Sequence, residues 1–591
     1  YTYKSEEKYE IGQWCIVNFI NRDRMGLVIA ITEESKIQFD VSKIKRIKAA
    51  APVLSIPNDI MQLIKWIRSY YISDYYNVIK AVYPGALKLN YSKRAIYQRD
   101  FLENECLIGE DNSENSLEEV KKFNEYMKKR KEVTVATLKK NFSGEIVEKA
   151  ISEKVISVEK KVILNSKISK VEKKKSEIIE KEIILNDEQQ KAVDTIKNSE
   201  NQIFLLKGIT GSGKTEIYIN LIKEALKQGF GSIFLVPEIS LTVQMIQRLE
   251  EEFCNEVAIL HSKLTDKEKR EEWTFIRNGE KKIVIGARSA IFAPVQNLKY
   301  IIVDEEHENT YKQENNPRYH VKNVAIKRAF LKNENLKKDD DPEKNRELGQ
   351  NEELRENVGL KKEEIAKNKK IKVILGSATP SFETYYQAQQ GDIELVELTK
   401  RYKNAKLPKF EIVDLNETVE NFSEKLLDKI SQTLQKNEQV ILILNRKAFS
   451  NLLKCKDCGN IPTCPNCSIS LNYYKYDNRL KCHYCGYEKR FNNTCDECGG
   501  HKMRQIGAGT EKIEEELAGL FPSARIVRVD SESIKTKQNY EKVYNDFKNH
   551  KYDIMLGTQI IAKGLHFSNV TLVGVINADI ILNFPDFRAS E

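Results

Sequence analysis

Three sets of residues in this 591-residue chain have the types and spacing to do chemistry. The first is Gly208-x4-Gly213-Lys214-Thr215. Gly208, Gly211 and Gly213, with Thr210 and Ser212 between them, let backbone N–H groups curl around a polyphosphate. The N-terminus of a following helix adds favourable partial charge. Lys214 is placed to reach the β- and γ-phosphates, and Thr215 to hold Mg²⁺. The second set is Asp304-Glu305-Glu306-His307, about ninety residues later. Asp304 would bind Mg²⁺ through water, and Glu305 would orient and deprotonate an attacking water. Alone, these acids are an ordinary strand end; paired with a phosphate loop they become hydrolytic machinery. Gln189, just upstream, carries the donor and acceptor that read an adenine edge. Asn186 or Asp187 caps a helix there, and the two roles are compatible.

The third set is eight of the 11 cysteines, as Cys-x2-Cys pairs 455/458, 464/467, 482/485 and 495/498. Without an export signal, this pattern argues for zinc in a reducing compartment rather than disulfides. Four pairs complete two tetrahedral sites with sulfur ligands at about 2.3 Å, closed and therefore structural. Spacing alone leaves three ways to combine the pairs.

Around the phosphate loop, Ile203–Leu206 reads as a buried strand and Ile217, Leu221, Ala225 and Leu226 as one helix face ending near Gly229. Further strands are expected at 232–236, 282–285, 300–303 and 371–375, with helical patterns between them. That is a doubly wound parallel sheet with ligands at the strands' carboxyl ends. Residues 331–370 interrupt it with 22 charges, 11 of each sign, and read as a solvated insertion. Strands at 440–444, 525–529, 553–556 and 570–576 suggest a second α/β lobe holding the cysteine module. Upstream, short runs at 14–19, 26–31 and 36–41 read as a small β-rich domain, followed by a helix over 59–71. Its aromatics Trp66, Tyr70, Tyr71, Tyr75 and Tyr76 read as core rather than as a ligand platform. Residues 115–158 run helix, short helix, helix, strand, an order that suits a winged helix or a plain helical connector. Residues 159–181 read as a linker or exposed hairpin.

Forty per cent hydrophobic and 31% charged residues are ordinary for a protein with several water-exposed domains. The net charge of +9 leans towards an anionic partner. No run approaches a membrane span, and the first residues are not a signal peptide. The first residue is Tyr1 rather than Met, so the gene product is expected to begin upstream.

In this order, the phosphate loop, Asp304–His307, Gly376-Ser377-Ala378-Thr379-Pro380 and Gly557-Thr558-Gln559-x3-Lys563-Gly564 resemble the superfamily 2 helicases. Cysteine pairs inside the second lobe narrow this to the PriA replication-restart helicases. Supporting stretches are Val236–Thr242, Gly286–Ala290, Tyr311–Gln313 with Pro317–His320, Leu444-Asn445-Arg446, Gly507–Glu511 and Pro585–Ala589.

The resemblance implies an α/β fold with two RecA-like lobes and an inserted zinc module. A β-rich domain that binds a DNA 3′ end (1–95) and a winged helix with linker (110–180) would precede them. Lobe 1 would cover 182–395, lobe 2 396–450 and 504–591, and the zinc module 451–503. The implied activity is ATP-dependent 3′→5′ DNA unwinding that recognises forks and restarts replication. The implied cofactors are ATP, Mg²⁺ and two Zn²⁺, with nested pairing: 455/458 with 495/498, and 464/467 with 482/485. Arg288, Tyr311, Lys312, Arg318, Tyr319, His320 and Lys563 would contact DNA, the loop's mix of cations and aromatics being suited to phosphates and bases. Implied partners are forked and single-stranded DNA, single-strand-binding protein and primosome helicase-loading proteins, in the cytoplasm at the nucleoid. Two other readings compete: a double-stranded DNA translocase that does not unwind, and a zinc-bearing fork scaffold with a dispensable motor.

Three departures from the family pattern stand out. His566 replaces an acid, Val17-Asn18-Phe19-Ile20 sits where Pro and Gly are usual, and Tyr1-Thr2-Tyr3 sits where an aromatic–Asp–Tyr pocket is usual, with Lys45 as a possible contact. The family's Gln-x2-Gly-Arg-x-Gly-Arg motif would follow Ser590, so poor hydrolysis is expected of a chain ending at Glu591.

Overall fold

The computed structural model describes residues 1–33, 43–51, 54–83, 91–101, 114–162, 185–237, 249–253, 256–261, 264–339, 370–401, 408–414, 421–444, 452–467, 469–474, 478–482, 485–506, 510–530, 537–558 and 567–576, plus isolated residues between them. Residues 163–181 of the linker expected over 159–181, most of the insertion over 331–370, and most of 238–242, 445–446, 507–509, 559–566 and 585–589 lie outside them.

The amino-terminal unit opens with three antiparallel strands, β1 (Trp14–Phe19), β2 (Arg22–Leu27) and β3 (Ile47–Ala50), in the order β2-β1-β3. The second strand thus begins earlier than the apolar run at 26–31 suggests, because Ile20 and Asn21 make a tight turn with φ of +48° and +56°. Two helices follow, α1 (Asn58–Tyr70) and α2 (Tyr75–Val82), the latter capped by Asp74 accepting from the N–H of Asn77. Ile60, Met61, Leu63, Ile64 and Ile67 form the buried face of α1. They do not close a separate core: they join one apolar cluster with Leu205, Ile233, Val303 and Val324. Arg328 is fully buried beneath α1, donating to the carbonyls of Ile291 and Ala293 and lying 3.7 Å from Asp59. The α1–α2 pair is therefore built onto the lobe 1 core.

The aromatics of this pair do not all become core. Tyr70 and Tyr76 are 58% and 61% exposed. The helix-facing apolar positions were enough to fill the interface, leaving the rings on the next face outside.

Residues 91–162 form their own unit. Strands β4 (Tyr91–Tyr97), β5 (Glu132–Thr134) and β6 (Ile156–Val162) make an antiparallel sheet, order β5-β4-β6. Helices α3 (Glu114–Arg130), α4 (Val135–Asn141) and α5 (Gly144–Ser152) accompany it, the last two capped by Thr134 and Ser143. Phe123, Met127, Leu138, Ile146, Val147 and Val155 give it a separate core. Three helices with a three-stranded sheet is the composition of a winged helix. Because β4 pairs along its length with β6, a boundary at residue 95 cuts this unit, and it begins by Tyr91.

Lobe 1 is a seven-stranded parallel sheet. Its strands are β7 (Ile203–Gly208), β8 (Gly231–Leu235), β9 (Val257–Leu260), β10 (Ile283–Gly286), β11 (Leu298–Asp304), β12 (Lys372–Ser377) and β13 (Glu394–Leu398). Their order is β13-β7-β12-β11-β8-β10-β9. Helices α6 (Asp187–Asn198) and α7 (Lys214–Lys227) flank β7. The five central strands follow the apolar runs of the sequence, because a parallel strand buried on both faces is apolar throughout. The two edge strands are missing from that reading: β9 is four residues long, and β13 carries Glu394 and Glu397.

In lobe 2, β14 (Gln439–Leu444) precedes the cysteine module, whose short strands are β15 (Leu452–Cys455), β16 (Asn472–Tyr474), β17 (Arg479–Lys481), β18 (Glu488–Arg490) and β19 (Met503–Ile506). Strands β20 (Ile526–Val529), β21 (Ile554–Gly557) and β22 (Val570–Ile576) complete a parallel sheet, order β20-β21-β14-β22. Among the described residues no helix is long and apolar enough to cross a membrane.

Candidate nucleotide and nucleic-acid site

The loop between β7 and α7 has the backbone its glycines dictate. Gly211 and Gly213 sit at φ of +81° and +83°, the left-handed region that favours glycine. A Cβ on Gly213 would also lie 2.2 Å from Nε2 of Gln189. That amide is buried and donates to the carbonyl of Ser212 at 2.9 Å, while its oxygen accepts from the N–H of Asn186 in a capping box. Gln189 thus braces the phosphate loop from below, and the N-cap is Asn186. Lys214 Nζ donates to the carbonyl of Gly208 at 2.8 Å. Ser212 Oγ is buried without a hydrogen-bond partner among the described residues. An orphaned hydroxyl, a lysine turned onto the loop and a helix N-terminus fit a polyphosphate. Thr210 is exposed at the loop's tip, and Thr215 lies in the first turn of α7.

Asp304 ends β11, two strands from β7. Tyr218, one turn after Lys214 on the same face of α7, donates to Asp304 Oδ1 at 3.1 Å. The space it uses is left by Gly376, where a Cβ would lie 1.7 Å from the tyrosine oxygen. Burial first, then the neighbouring Glu305 charge, pushes the Asp304 carboxyl up to about 6, against the pull of Lys214 and the Tyr218 hydrogen bond. Glu305 follows at φ +48°, a conformation non-glycine residues rarely hold, and its side chain stays part-exposed. His307 Nδ1 lies 2.8 Å from Ser377 Oγ and 3.7 Å from Glu305.

Glu306 is the residue the sequence reading passed over. Its buried carboxylate accepts from the N–H and hydroxyl of Ser381, the hydroxyl of Thr384 and the ammonium of Lys322, at 2.7, 3.1, 2.8 and 3.4 Å. Oε2 accepts three of these bonds and Oε1 one, so neither oxygen of this buried charge is left unpaired. The network fastens the acid-bearing strand to the segment after Gly376–Pro380. The available signal was an acid directly beside Glu305 together with the Ser381-x2-Thr384 cap.

The loop over 311–320 hangs from the same strand end. Its residues divide by burial in a way that residue type does not reveal. Lys312 and Arg318 are exposed. Tyr311 and Tyr319 are 1% exposed and offer no face to a base in this conformation. Tyr311 instead donates to the carbonyl of Asp304 at 2.7 Å, and Tyr319 packs on Phe292. Arg288 spans the loop, donating to the carbonyls of Thr310 and Lys312 at 3.1 and 2.8 Å. His320 is half-buried; desolvation, aided by Lys322 and Lys312, pulls its pKa down to about 4, so it is neutral near pH 7. Lys563 lies outside the described residues.

The cysteines gather as two groups, Cys455, Cys458, Cys495 and Cys498, and Cys464, Cys467, Cys482 and Cys485, with the sulfurs of each within 4.8 Å of one another. Pairs such as Cys455–Cys498 and Cys464–Cys485 are 3.6 Å apart. Tetrahedral ligands at about 2.3 Å from a metal stand about 3.8 Å apart, so both groups fit zinc. This is the nested pairing the family resemblance implied. Gly459, Gly486 and Gly499 each follow the second cysteine of a pair at φ between +71° and +76°, turning the backbone N–H back to the first cysteine's carbonyl. Backbone donation from Tyr487 draws the Cys485 thiol down to about 6, whereas its contact with Cys485 pushes Cys467 up to about 12.

Family models match three parts of the chain: the DEAD/DEAH box helicase over residues 186–388, the PriA DNA helicase Cys-rich region domain over 464–490, and the 3′DNA-binding domain over 1–84. The replication restart protein PriA of Rickettsia conorii is 32% identical over 599 aligned positions, covering 100% of this chain and 74% of that protein. The chain belongs to the PriA family. The Bacillus subtilis and Haemophilus influenzae PriA proteins are 44% and 39% identical over 68% and 66% of this chain. Those matches span 47% and 48% of the relatives' own length, about half.

Within the segment matched by the PriA 3′DNA-binding domain, the residues singled out earlier do meet. Tyr3 donates to the carbonyl of Asn18 at 3.1 Å, and Lys45 Nζ to its side-chain oxygen at 3.2 Å. Tyr1 is fully exposed, edge-on to Phe19 with centroids 4.6 Å apart.

Proposed function

We propose that this chain carries the motor of an ATP- and Mg²⁺-dependent DNA helicase of 3′→5′ polarity that recognises forked DNA and restarts stalled replication. One observation carries the reading: Lys214, Asp304 and Glu305 converge at the carboxyl ends of one sheet, and a cation-bearing loop is fastened to that strand end through Tyr311. The backbone N–H groups around Gly211–Thr215 and Lys214 would hold the triphosphate, and Thr215 with Asp304 the magnesium, which supplies charge neutralisation at the phosphoryl group. Glu305 orients the attacking water and takes its proton. Glu306 holds the acid strand in register with Ser381, so a change at Asp304 is passed to neighbouring segments. Lys312 and Arg318 meet the phosphates of a strand. Each cysteine group binds one Zn²⁺, two in all, as structural sites. The chain would act in the cytoplasm at the nucleoid, with single-strand-binding protein and helicase-loading proteins as partners.

The test is ATPase activity with and without forked DNA, beside strand displacement on the same fork. Hydrolysis stimulated by DNA with release of the strand supports the helicase. Stimulated hydrolysis without release favours the double-stranded translocase. Fork restart in cells that survives Lys214→Ala favours the scaffold.

A further inference from the structure

A row of aromatic rings lies outside the nucleotide site, on the α1–α2 pair. Trp66 and Tyr70 stack with centroids 4.8 Å apart and planes 21° from parallel. Tyr71 meets both edge-on, at 6.0 and 4.9 Å. Tyr70 is 58% exposed. The row is tied to the motor loop by Tyr71. Its hydroxyl accepts from the backbone N–H of His320 at 3.1 Å and from Asn323 at 3.4 Å, and the Lys312 ammonium lies 5.5 Å from its ring centroid. The loop's other end is held by Tyr311 to Asp304 at 2.7 Å. Lys312 lies against the row; Arg318 on the same loop, and Lys65 and Arg68 on α1, are further exposed cations, Arg68 lying over the Tyr75 ring.

An exposed ring stacked on a half-buried one, with a cation against the row, has the composition that binds single-stranded nucleic acid: a π-face for a base and positive charge for phosphates. An exposed cation held against the row favours a polyanion over an apolar protein segment. We propose that Trp66 and Tyr70 form a base-stacking platform for a single strand of DNA passing the 311–320 loop. A base stacks on the open face of Tyr70, while Lys312 and Arg318 neutralise the adjoining phosphates. Because α1 is built onto the lobe 1 core and Tyr71 is bonded to the loop, the platform moves with lobe 1. It would hold a base fixed to that lobe while the loop responds to the state of Asp304. This rests on the reading of the chain as a DNA motor.

The test uses the full chain and an oligothymidylate. Trp14 and Trp273, the other tryptophans, are buried and shielded from contact with a bound base, so a fluorescence change on binding reports Trp66. Binding is expected to quench it, and Trp66→Phe to remove the quench. Tyr70→Ala is expected to weaken binding at least fivefold, as for loss of one stack, with the salt dependence unchanged. Tyr70→Phe is expected to bind as the native chain does. The paired variant Lys312→Ala/Arg318→Ala is expected to weaken binding and flatten the salt dependence. If that pair weakens binding while Tyr70→Ala and the Trp66 signal do nothing, the platform is overturned and the motor reading stands; the patch then serves a protein partner. If neither variant weakens binding, the DNA-motor reading itself fails. Tyr70 is exposed, so its replacement removes little buried surface, and an unchanged melting temperature checks that the fold is kept.

Discussion

The phosphate loop and the cysteine module are both built to hold charged inorganic groups, yet they are held together in opposite ways. The loop stands on β7 and α7, with Phe204, Leu205, Leu206, Ile217, Leu221 and Ile222 all buried. Its shape is set by a core that exists whether or not a nucleotide is bound. The module has strands of three and four residues and a cluster built around Leu453, Leu471, Leu480 and Phe491. That is too little apolar burial to offset the entropy of ordering the segment. The difference is one of causation: in lobe 1 the fold makes the site, and in the module the metal would make the fold.

The sharpest way to break that contrast is to remove the metal. Structural zinc contributes about 10–16 kcal/mol in small zinc-dependent folds. A strong chelator, or Cys482→Ser, is therefore expected to unfold the module. Amide exchange over 452–506 should rise to unprotected rates while β7, β11 and β12 keep their protection. Protection that persists in the module after metal loss would mean its apolar cluster suffices.

The converse applies to the loop. Lys214→Ala removes the cation that faces the phosphates but no apolar contact. Hydrolysis is expected to fall by about 10²–10³, the scale for losing one preorganised charge partner. The melting temperature of lobe 1 should stay within about 2 °C, since little buried surface changes. A large fall in melting temperature would show that the loop, like the module, is partly held by its own functional residues.

The same contrast governs what was legible. The parallel lobes were readable because doubly buried strands are continuous apolar runs, and the metal groups because paired cysteines at fixed spacing have few other uses. Pairing of the cysteines needed the family resemblance, since spacing alone allows three combinations. Edge strands β9 and β13 were lost where shortness or acids broke the apolar signal. At the site, residue type named Lys214, Asp304 and Glu305, but burial decided the rest. Tyr311 and Tyr319 look like base-stacking residues and are core; Tyr70 looks like core and is exposed. Glu306 and Tyr218 emerge only when long-range neighbours such as Ser381 and Gly376 are placed.

Gly376 offers a smaller, more local probe of fold-made geometry. Gly376→Ala puts a methyl where the Tyr218 oxygen sits, and overpacking of this kind costs about 1–3 kcal/mol. Displacing Tyr218 also removes the hydrogen bond that holds Asp304. Pairing Gly376→Ala with Tyr218→Phe should separate the two effects. The double variant, with the oxygen gone but the ring's Cζ still 2.9 Å from the new methyl, is expected to recover part of the stability but not hydrolysis. Recovery of both would show that Asp304 needs no tyrosine to be placed.

The smallest effect expected is one of acid. His320 is half-buried and neutral, with its pKa lowered from 6.5 to about 4 by desolvation first, then by Lys322 and Lys312, against the opposing pull of Glu306 and Glu383. The unfolded chain therefore binds more protons between those values. Stability is fully present above 6.5 and is lost as pH falls towards 4. Between pH 7.5 and 5.5 this amounts to about 1 kcal/mol. Acid also weakens the cysteine module, because protons compete with metal for thiolates, so a global melt would blend the two. His320→Gln separates them: it should flatten the pH dependence of lobe 1 protection over this window and leave that of residues 452–506 unchanged. What matters is the slope, since the substitution also alters packing at any pH. An unaltered slope in lobe 1 would mean that His320 binds its proton in the fold as readily as in the unfolded chain, and the loop would then present an imidazolium beside Lys312 and Arg318 once the pH falls below about 6.5.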